Sequence, residues 1–175
     1  MSDLYFAYGS NLLSTRLTAR CPGSEPLGVA FFKGHRLAFP LSSAHDGSGK
    51  AGVVADAAST VEGRLYRMAP QDVPDLDRIE GLNYVRTPVQ VHQETEQLAA
   101  FTYIPKRTGP EFAPYDWYLG LILWGARQAK LSETAYAALR QTPWRPDPEV
   151  DRPGLLAAEA AFEAAGITAW RQVLG

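Results

Sequence analysis

The chain has 175 residues, 46% of them hydrophobic and 21% charged, with a formal net charge of −2. That length accommodates one domain with a sizeable core, and the composition is ordinary for a globular protein. The small net charge and the lack of a basic block argue against nucleic acid or an anionic membrane surface as partner, and the single cysteine, Cys21, excludes an internal disulfide framework.

Met1-Ser2-Asp3 leads straight into an apolar run, with no basic leader and no long hydrophobic stretch. Neither a signal peptide nor a membrane span is expected, and a cytoplasmic location is the default. Leu4-Tyr5-Phe6-Ala7-Tyr8 reads as a strand buried on both faces. The chain then turns through Gly9-Ser10-Asn11 into Leu12, Leu13, Arg16 and Leu17, which have helical spacing. Gly9 permits a backbone conformation that a side chain would resist, and Ser10 and Asn11 are both N-cap residue types. A strand feeding a capped helix gathers backbone N–H groups at one spot, which suits a carboxylate or an oxyanion. An ordinary strand-turn-helix corner has the same pattern.

Strand-like runs follow at 28–39, 51–56, 61–68, 84–92 and 98–104, with a polar, glycine-containing loop over 40–49. Pro70 and the acids after it predict a short helix that Gly81 ends, and longer helices are expected over 115–130 and 132–140. The later strands lie too close together for helical crossovers, so they pair mostly antiparallel. The predicted class is α+β: a small curved mixed sheet or barrel, mostly antiparallel, flanked by helices. Residues 1–141 form the predicted main unit. Pro143, Pro146, Pro148 and Pro153 make the next stretch an extended connector, and Leu155, Ala158, Phe162 and Ala165 then share one helical face. Residues 142–175 are expected to pack back on the same domain, with Trp170, Val173 and Leu174 as a further anchor. If that face were exposed instead, it would serve a partner subunit, a homodimer included.

In the helix over 70–81, Val73, Leu76 and Glu80 fall on one face, whereas Asp72, Asp75 and Asp77 mostly fall elsewhere. Glu80 therefore follows the apolar side inward, at the helix end where the macrodipole disfavours negative charge. Both effects raise its proton affinity, as a general base working near neutral pH requires. The structural alternative is a surface Glu paired with Arg86 or Arg78. Other candidates are weaker. His35, His45 and His92 are isolated, so no metal site is expected. Gly9-Ser10 has neither the Gly-x-Ser-x-Gly elbow nor the Gly-Lys-Ser/Thr end of a phosphate-binding loop. Cys21 follows Arg20, which could activate a thiolate, but a lone cysteine at a helix end is usually packed. Trp117, Tyr118, Leu121 and Trp124 make an aromatic stripe that reads as core.

In order along the chain stand Tyr5-Phe6-Ala7-Tyr8-Gly9-Ser10-Asn11-Leu12, Glu62-Gly63-Arg64-Leu65-Tyr66, Leu76-Asp77-Arg78-Ile79-Glu80-Gly81, Tyr84-Val85-Arg86, Pro88-Val89-Gln90-Val91, Tyr118 and Trp124-Gly125-Ala126-Arg127. Together these resemble the γ-glutamylcyclotransferase family, which includes the γ-glutamylamine cyclotransferases, over about residues 3–140. The resemblance implies conversion of a γ-glutamyl amino acid or γ-glutamylamine into 5-oxoproline and the free amine, with no metal or other cofactor. It places Glu80 at the catalytic glutamate, Tyr8, Gly9, Ser10, Asn11 and Leu12 around the γ-glutamyl group, and Tyr118 in the pocket lining. The leaving amine is not defined, although Phe112 and Pro114 hint at an apolar one. A non-catalytic binder of a γ-glutamyl or carboxylate ligand, and an interaction module built on the C-terminal extension, are the alternatives.

Overall fold

The computed structural model describes residues 3–81 and 83–175, so the Met1-Ser2 part of the predicted entry into the first strand lies outside the described residues. Strands β1 (Asp3–Ala7), β2 (Glu25–Ser42), β3 (Gly49–Met68), β4 (Tyr84–Gln93) and β5 (Glu96–Pro105) close into a barrel in the order β1-β3-β2-β4-β5. The pairings are antiparallel except for the closing seam, where β5 runs parallel to β1 with Phe101 beside Tyr5. The expected curved, mostly antiparallel sheet is therefore a closed barrel, which leaves no unpaired edge along the seam.

β1 is buried on both faces, as its apolar run predicts. Tyr5 and Ala7 join one core cluster with Leu17, Tyr66 and Leu76, while Phe6 joins a second with Ala30, Phe32 and Leu65. The alternation of a strand thus divides one short segment between two cores. The runs at 51–56 and 61–68 belong to one strand, β3, whose pairing with β2 shifts register at a bulge. His35 pairs with Ala55 and Lys33 with Thr60, while Asp56 accepts from the Ala58 N–H at 3.1 Å and the Ser59 hydroxyl at 2.7 Å. β2 begins at Glu25 and reaches Ser42, so the loop shrinks to residues 43–48. Exposed small residues at the bulge hide the strand from a hydrophobic pattern while the backbone ladder continues. Gly28 and Gly34, with φ of +114° and +76°, sit at register shifts of β2 and let the long hairpin bend.

The helices are α1 (Ser14–Thr18), α2 (Val73–Glu80), α3 (Asp116–Ala129), α4 (Glu133–Arg140) and α5 (Pro153–Ala164). A single 3₁₀ turn, Ser10–Leu12, separates β1 from α1. Ser132 caps α4 by accepting from the Ala135 N–H at 3.1 Å, and Lys130 ends α3 in the left-handed region at φ 62°.

The proline-rich connector is strapped across the start of α3. The Arg145 N–H donates to the Pro114 carbonyl, the Asp116 N–H donates to the Arg145 carbonyl, and the Trp117 indole donates to Asp147 at 2.8 Å. α5 then lies against α3 and α1 through Leu155, Ala158 and Phe162. Phe162 stacks on Trp170 with centroids 5.3 Å apart, and the Trp124 indole donates to the Trp170 carbonyl at 2.9 Å. No helix among the described residues is long and apolar enough to cross a membrane.

Candidate active site

At the end of β1 the chain passes Gly9 and enters the 3₁₀ turn. Gly9 is the residue before that turn and no side chain caps it, so the predicted capping by Ser10 or Asn11 is corrected. Nor is Gly9 left-handed, at φ −107°; the need for glycine is spatial. A Cβ there would stand 3.3 Å from the Ala51 Cβ and 3.7 Å from the Tyr118 hydroxyl. Among the described residues the N–H groups of Gly9, Ser10 and Asn11 donate to no carbonyl or side chain, as expected for the first donors of a helical turn.

The Asn11 side chain is used instead as a junction. Its amide nitrogen donates to the Tyr5 hydroxyl at 3.1 Å and to Glu80 at 3.4 Å, and its oxygen accepts from Arg20 at 3.1 Å. Glu80 ends α2 and turns inward behind Val73 and Leu76, with 19% of its side chain exposed. Its ion-pair partner is Arg20, at 3.2 Å, and not Arg78 or Arg86, which pair with Asp75 and Asp77. Burial raises the proton affinity of Glu80 above the usual carboxylate range; Arg20, the Asn11 amide and Arg16 pull the other way without cancelling it. The helix end contributes in the same sense as burial.

Around this carboxylate stands a ring of tyrosines from four parts of the chain. Tyr5, Tyr8, Tyr84, Tyr103 and Tyr118 line one small cavity with Gly9, Ser10, Asn11, Ala51 and Glu80. Most of the hydroxyls hold the frame. Tyr8 donates to the Tyr103 carbonyl, Tyr84 donates to the Ala51 carbonyl at 2.6 Å, and Tyr103 donates to Asp77 at 2.8 Å. The Tyr118 hydroxyl instead accepts from the Ala51 N–H at 3.2 Å, which leaves its own proton to give. Burial keeps that phenol protonated, its pKa pushed up to about 12.

The structure therefore brings Tyr8, Gly9, Ser10, Asn11, Glu80 and Tyr118 together around one cavity. Leu12 is fully buried in the core and does not line it; its carbonyl accepts from Arg64 at 3.1 Å. Phe112 and Pro114 do not line it either. Tyr5, Tyr84, Tyr103, Ala51 and Arg20 complete the site without a local signal of their own, although Tyr5 and Tyr84 stand inside the quoted motifs. Cys21 is fully buried and its thiol is pushed up to about 11 by burial, so it is no nucleophile. No group of three His, Cys, Asp or Glu among the described residues is placed to hold a metal ion. A larger groove of about 400 Å³ between the barrel and α4 shares only Tyr8 with the Glu80 cavity. Its acids are already paired, Glu111 with Arg36 in the same lining and Glu62 with Ser132.

Comparison with known proteins bears on this geometry. Residues 60–139 match the model of the AIG2-like family. A human protein named γ-glutamylcyclotransferase is 32% identical over 136 residues, which span 73% of this chain and 71% of that protein. A solved structure named γ-glutamyl cyclotransferase superposes with a TM-score of 0.81 at 25% identity, covering 93% of this chain and 99% of that one. The crystal structure of an uncharacterised human protein superposes at 0.79 with 26% identity, over 91% of this chain and 98% of the other.

Proposed function

The chain belongs to the γ-glutamylcyclotransferase family and is an enzyme of that type, and from this premise we propose that Glu80 drives the closure of a γ-glutamyl amide to 5-oxoproline. The observation that carries this reading is a half-buried carboxylate of raised proton affinity that shares one cavity with Gly9, Ser10 and Asn11, whose backbone N–H groups have no partner among the described residues. The substrate's α-ammonium must lose a proton before its nitrogen can attack. Glu80 takes that proton, and the nitrogen adds to the γ-carbonyl carbon to close a five-membered ring. The carbonyl oxygen becomes an oxyanion, and the Tyr118 hydroxyl is free to donate to it. Collapse of the tetrahedral centre expels the amine, which takes the proton back from Glu80 and also receives the second proton that the ring nitrogen sheds as it becomes the lactam N–H. The products are 5-oxoproline and the amine in its ammonium form, so atoms and charge balance.

The N–H groups of Gly9–Asn11 offer a seat for the α-carboxylate. Because the attack is intramolecular, much of the rate comes from folding a flexible chain into the cyclic geometry, which a tight tyrosine-lined cavity enforces. The test is 5-oxoproline release from a panel of γ-glutamyl amino acids and γ-glutamylamines; a folded protein that releases none would overturn the reading.

The acid limb of the pH profile offers a second check. Glu80 works as the carboxylate, so kcat/KM should rise with pH through the Glu80 pKa, above the ordinary carboxylate value. Arg20 holds that pKa down. Arg20→Gln should therefore move the acid limb to higher pH, and Asn11→Ala should move it the same way by less. A limb that stays in place in Arg20→Gln would show that another group sets it.

A further inference from the structure

Behind the Glu80 cavity lies a buried polar cluster that does not line it. Tyr66 on β3 is fully buried, and Arg64, two residues earlier on the same face, is 6% exposed. The Arg64 Nη1 donates to the Gln128 side-chain oxygen at 2.7 Å, the Leu12 carbonyl at 3.1 Å and the Tyr66 hydroxyl at 3.4 Å. All three are neutral oxygens, and its Nε has no partner among the described residues. A core guanidinium without a carboxylate is costly, and well-packed apolar side chains would serve stability at least as well. What the cluster does is fix direction. Because the Tyr66 oxygen accepts from Arg64, its single proton turns away, to the Asn11 carbonyl at 3.0 Å and the Leu12 carbonyl at 3.3 Å. Burial raises the Tyr66 pKa, so that proton stays in place.

Asn11 is thereby gripped at both ends. Tyr66 holds its backbone carbonyl, while Tyr5, stacked on Tyr66 with centroids 6.3 Å apart, accepts from its side-chain amide at 3.1 Å. The same amide reaches Glu80 at 3.4 Å, and its oxygen accepts from Arg20, which stands 3.2 Å from Glu80. We propose that Tyr66 is a positioning residue for Glu80: backed by Arg64, it sets Asn11, and Asn11 sets the carboxylate. The proposal rests on the cyclotransferase reading above. A contact of 3.4 Å lies at the long end of hydrogen bonding, so a shift of a few tenths of an ångström at the Asn11 backbone breaks it. Asn11 stabilises the ionised carboxylate, and its loss raises the proton affinity of Glu80. The positive charges acting on Glu80 are those of Arg20 and Arg16. Its phenol neighbours Tyr5, Tyr8, Tyr84, Tyr103 and Tyr118 are kept protonated by burial. Asp77, three residues earlier on α2, is held by Tyr103 and Arg86. The acid limb of the rate profile therefore reports Glu80.

The experiment is kcat/KM against pH, on the best γ-glutamyl substrate, for wild type, Tyr66→Phe, Asn11→Ala and the double variant. Phenylalanine keeps the buried ring and removes only the hydroxyl. Tyr66→Phe should move the acid limb up by roughly half a pH unit, the worth of one weak hydrogen bond. In the Asn11→Ala background the same substitution should move it by less than about a tenth of a unit, because the link it acts through is gone. Arg64→Met, one link further back, should shift the limb the same way by less and keeps the test open should Tyr66→Phe fail to fold. A merely structural role lowers the folded fraction, and with it the rate at every pH, while the limb stays put. An unmoved limb in folded Tyr66→Phe, or the same shift with and without Asn11, would overturn the positioning role and leave the cyclisation standing. A folded wild type that releases no 5-oxoproline from any γ-glutamyl compound would overturn the cyclisation reading and this proposal with it.

Discussion

Glu80→Gln is expected to reduce 5-oxoproline release by roughly 10²–10⁴-fold while the protein still folds. The substitution keeps the shape of the side chain, and the carboxamide can still accept from Arg20 and Asn11, which stand 3.2 Å and 3.4 Å from the carboxylate. What it removes is the group we propose takes the α-ammonium proton. Stability should hold for a linked reason. The folded-state pKa of Glu80 is raised, so the native protein binds its proton more tightly than the unfolded chain does. The corresponding stability is fully present below the unfolded pKa and is lost as pH rises through the folded one. At neutral pH the ionised carboxylate is therefore already a net cost of burial, which glutamine does not carry. The paired measurement is turnover and thermal denaturation on the same preparation. Activity above about a tenth of wild type in a folded variant would remove Glu80 from the base role.

The second large effect is on architecture. Gly125→Ala should destabilise the fold by about 3 kcal/mol, or roughly 6–12 °C in Tm. Gly125 lies two helical turns after Tyr118 on α3, where the helix meets the loop after β1. An added Cβ would stand 2.4 Å from the Leu13 nitrogen and 2.5 Å from the Leu12 carbonyl carbon. Those are backbone atoms, and they cannot swing aside as a side chain end could. Either α3 or the loop must shift, and each carries part of the site: Tyr118 on one, Gly9 to Asn11 on the other. Activity should fall with stability, because the Tyr118 hydroxyl and the loop amides would no longer share one cavity. A variant with unchanged Tm and turnover would show that the contact relaxes freely.

How much of this was readable before folding differs from residue to residue. The apolar run of β1 and the helical phase of Val73, Leu76 and Glu80 are local periodicities, and local periodicity reports which side of an element is buried. Glu80 was therefore legible as an inward carboxylate at a helix end. The motifs Tyr5 to Leu12, Leu76 to Gly81 and Tyr118 placed the chain in its family, which the 32% identity to the human relative shows independently. The break in β3 was misread, since an exposed bulge interrupts the burial pattern but not the backbone ladder.

The chain by itself thus determined its α+β class, the burial of its first strand, the inward turn of Glu80 and the family to which it belongs, because each is written in spacing or in contiguous motifs. Only the tertiary structure decided who meets Glu80. Tyr8 reaches the Tyr103 carbonyl across 95 residues, Asn11 reaches Glu80 across 69, and Arg20 reaches it across 60. Gly9 is required because Ala51 and Tyr118 come close, not because of its own backbone angle. No periodicity encodes such meetings; they arise when the barrel closes and α3 settles on the loop.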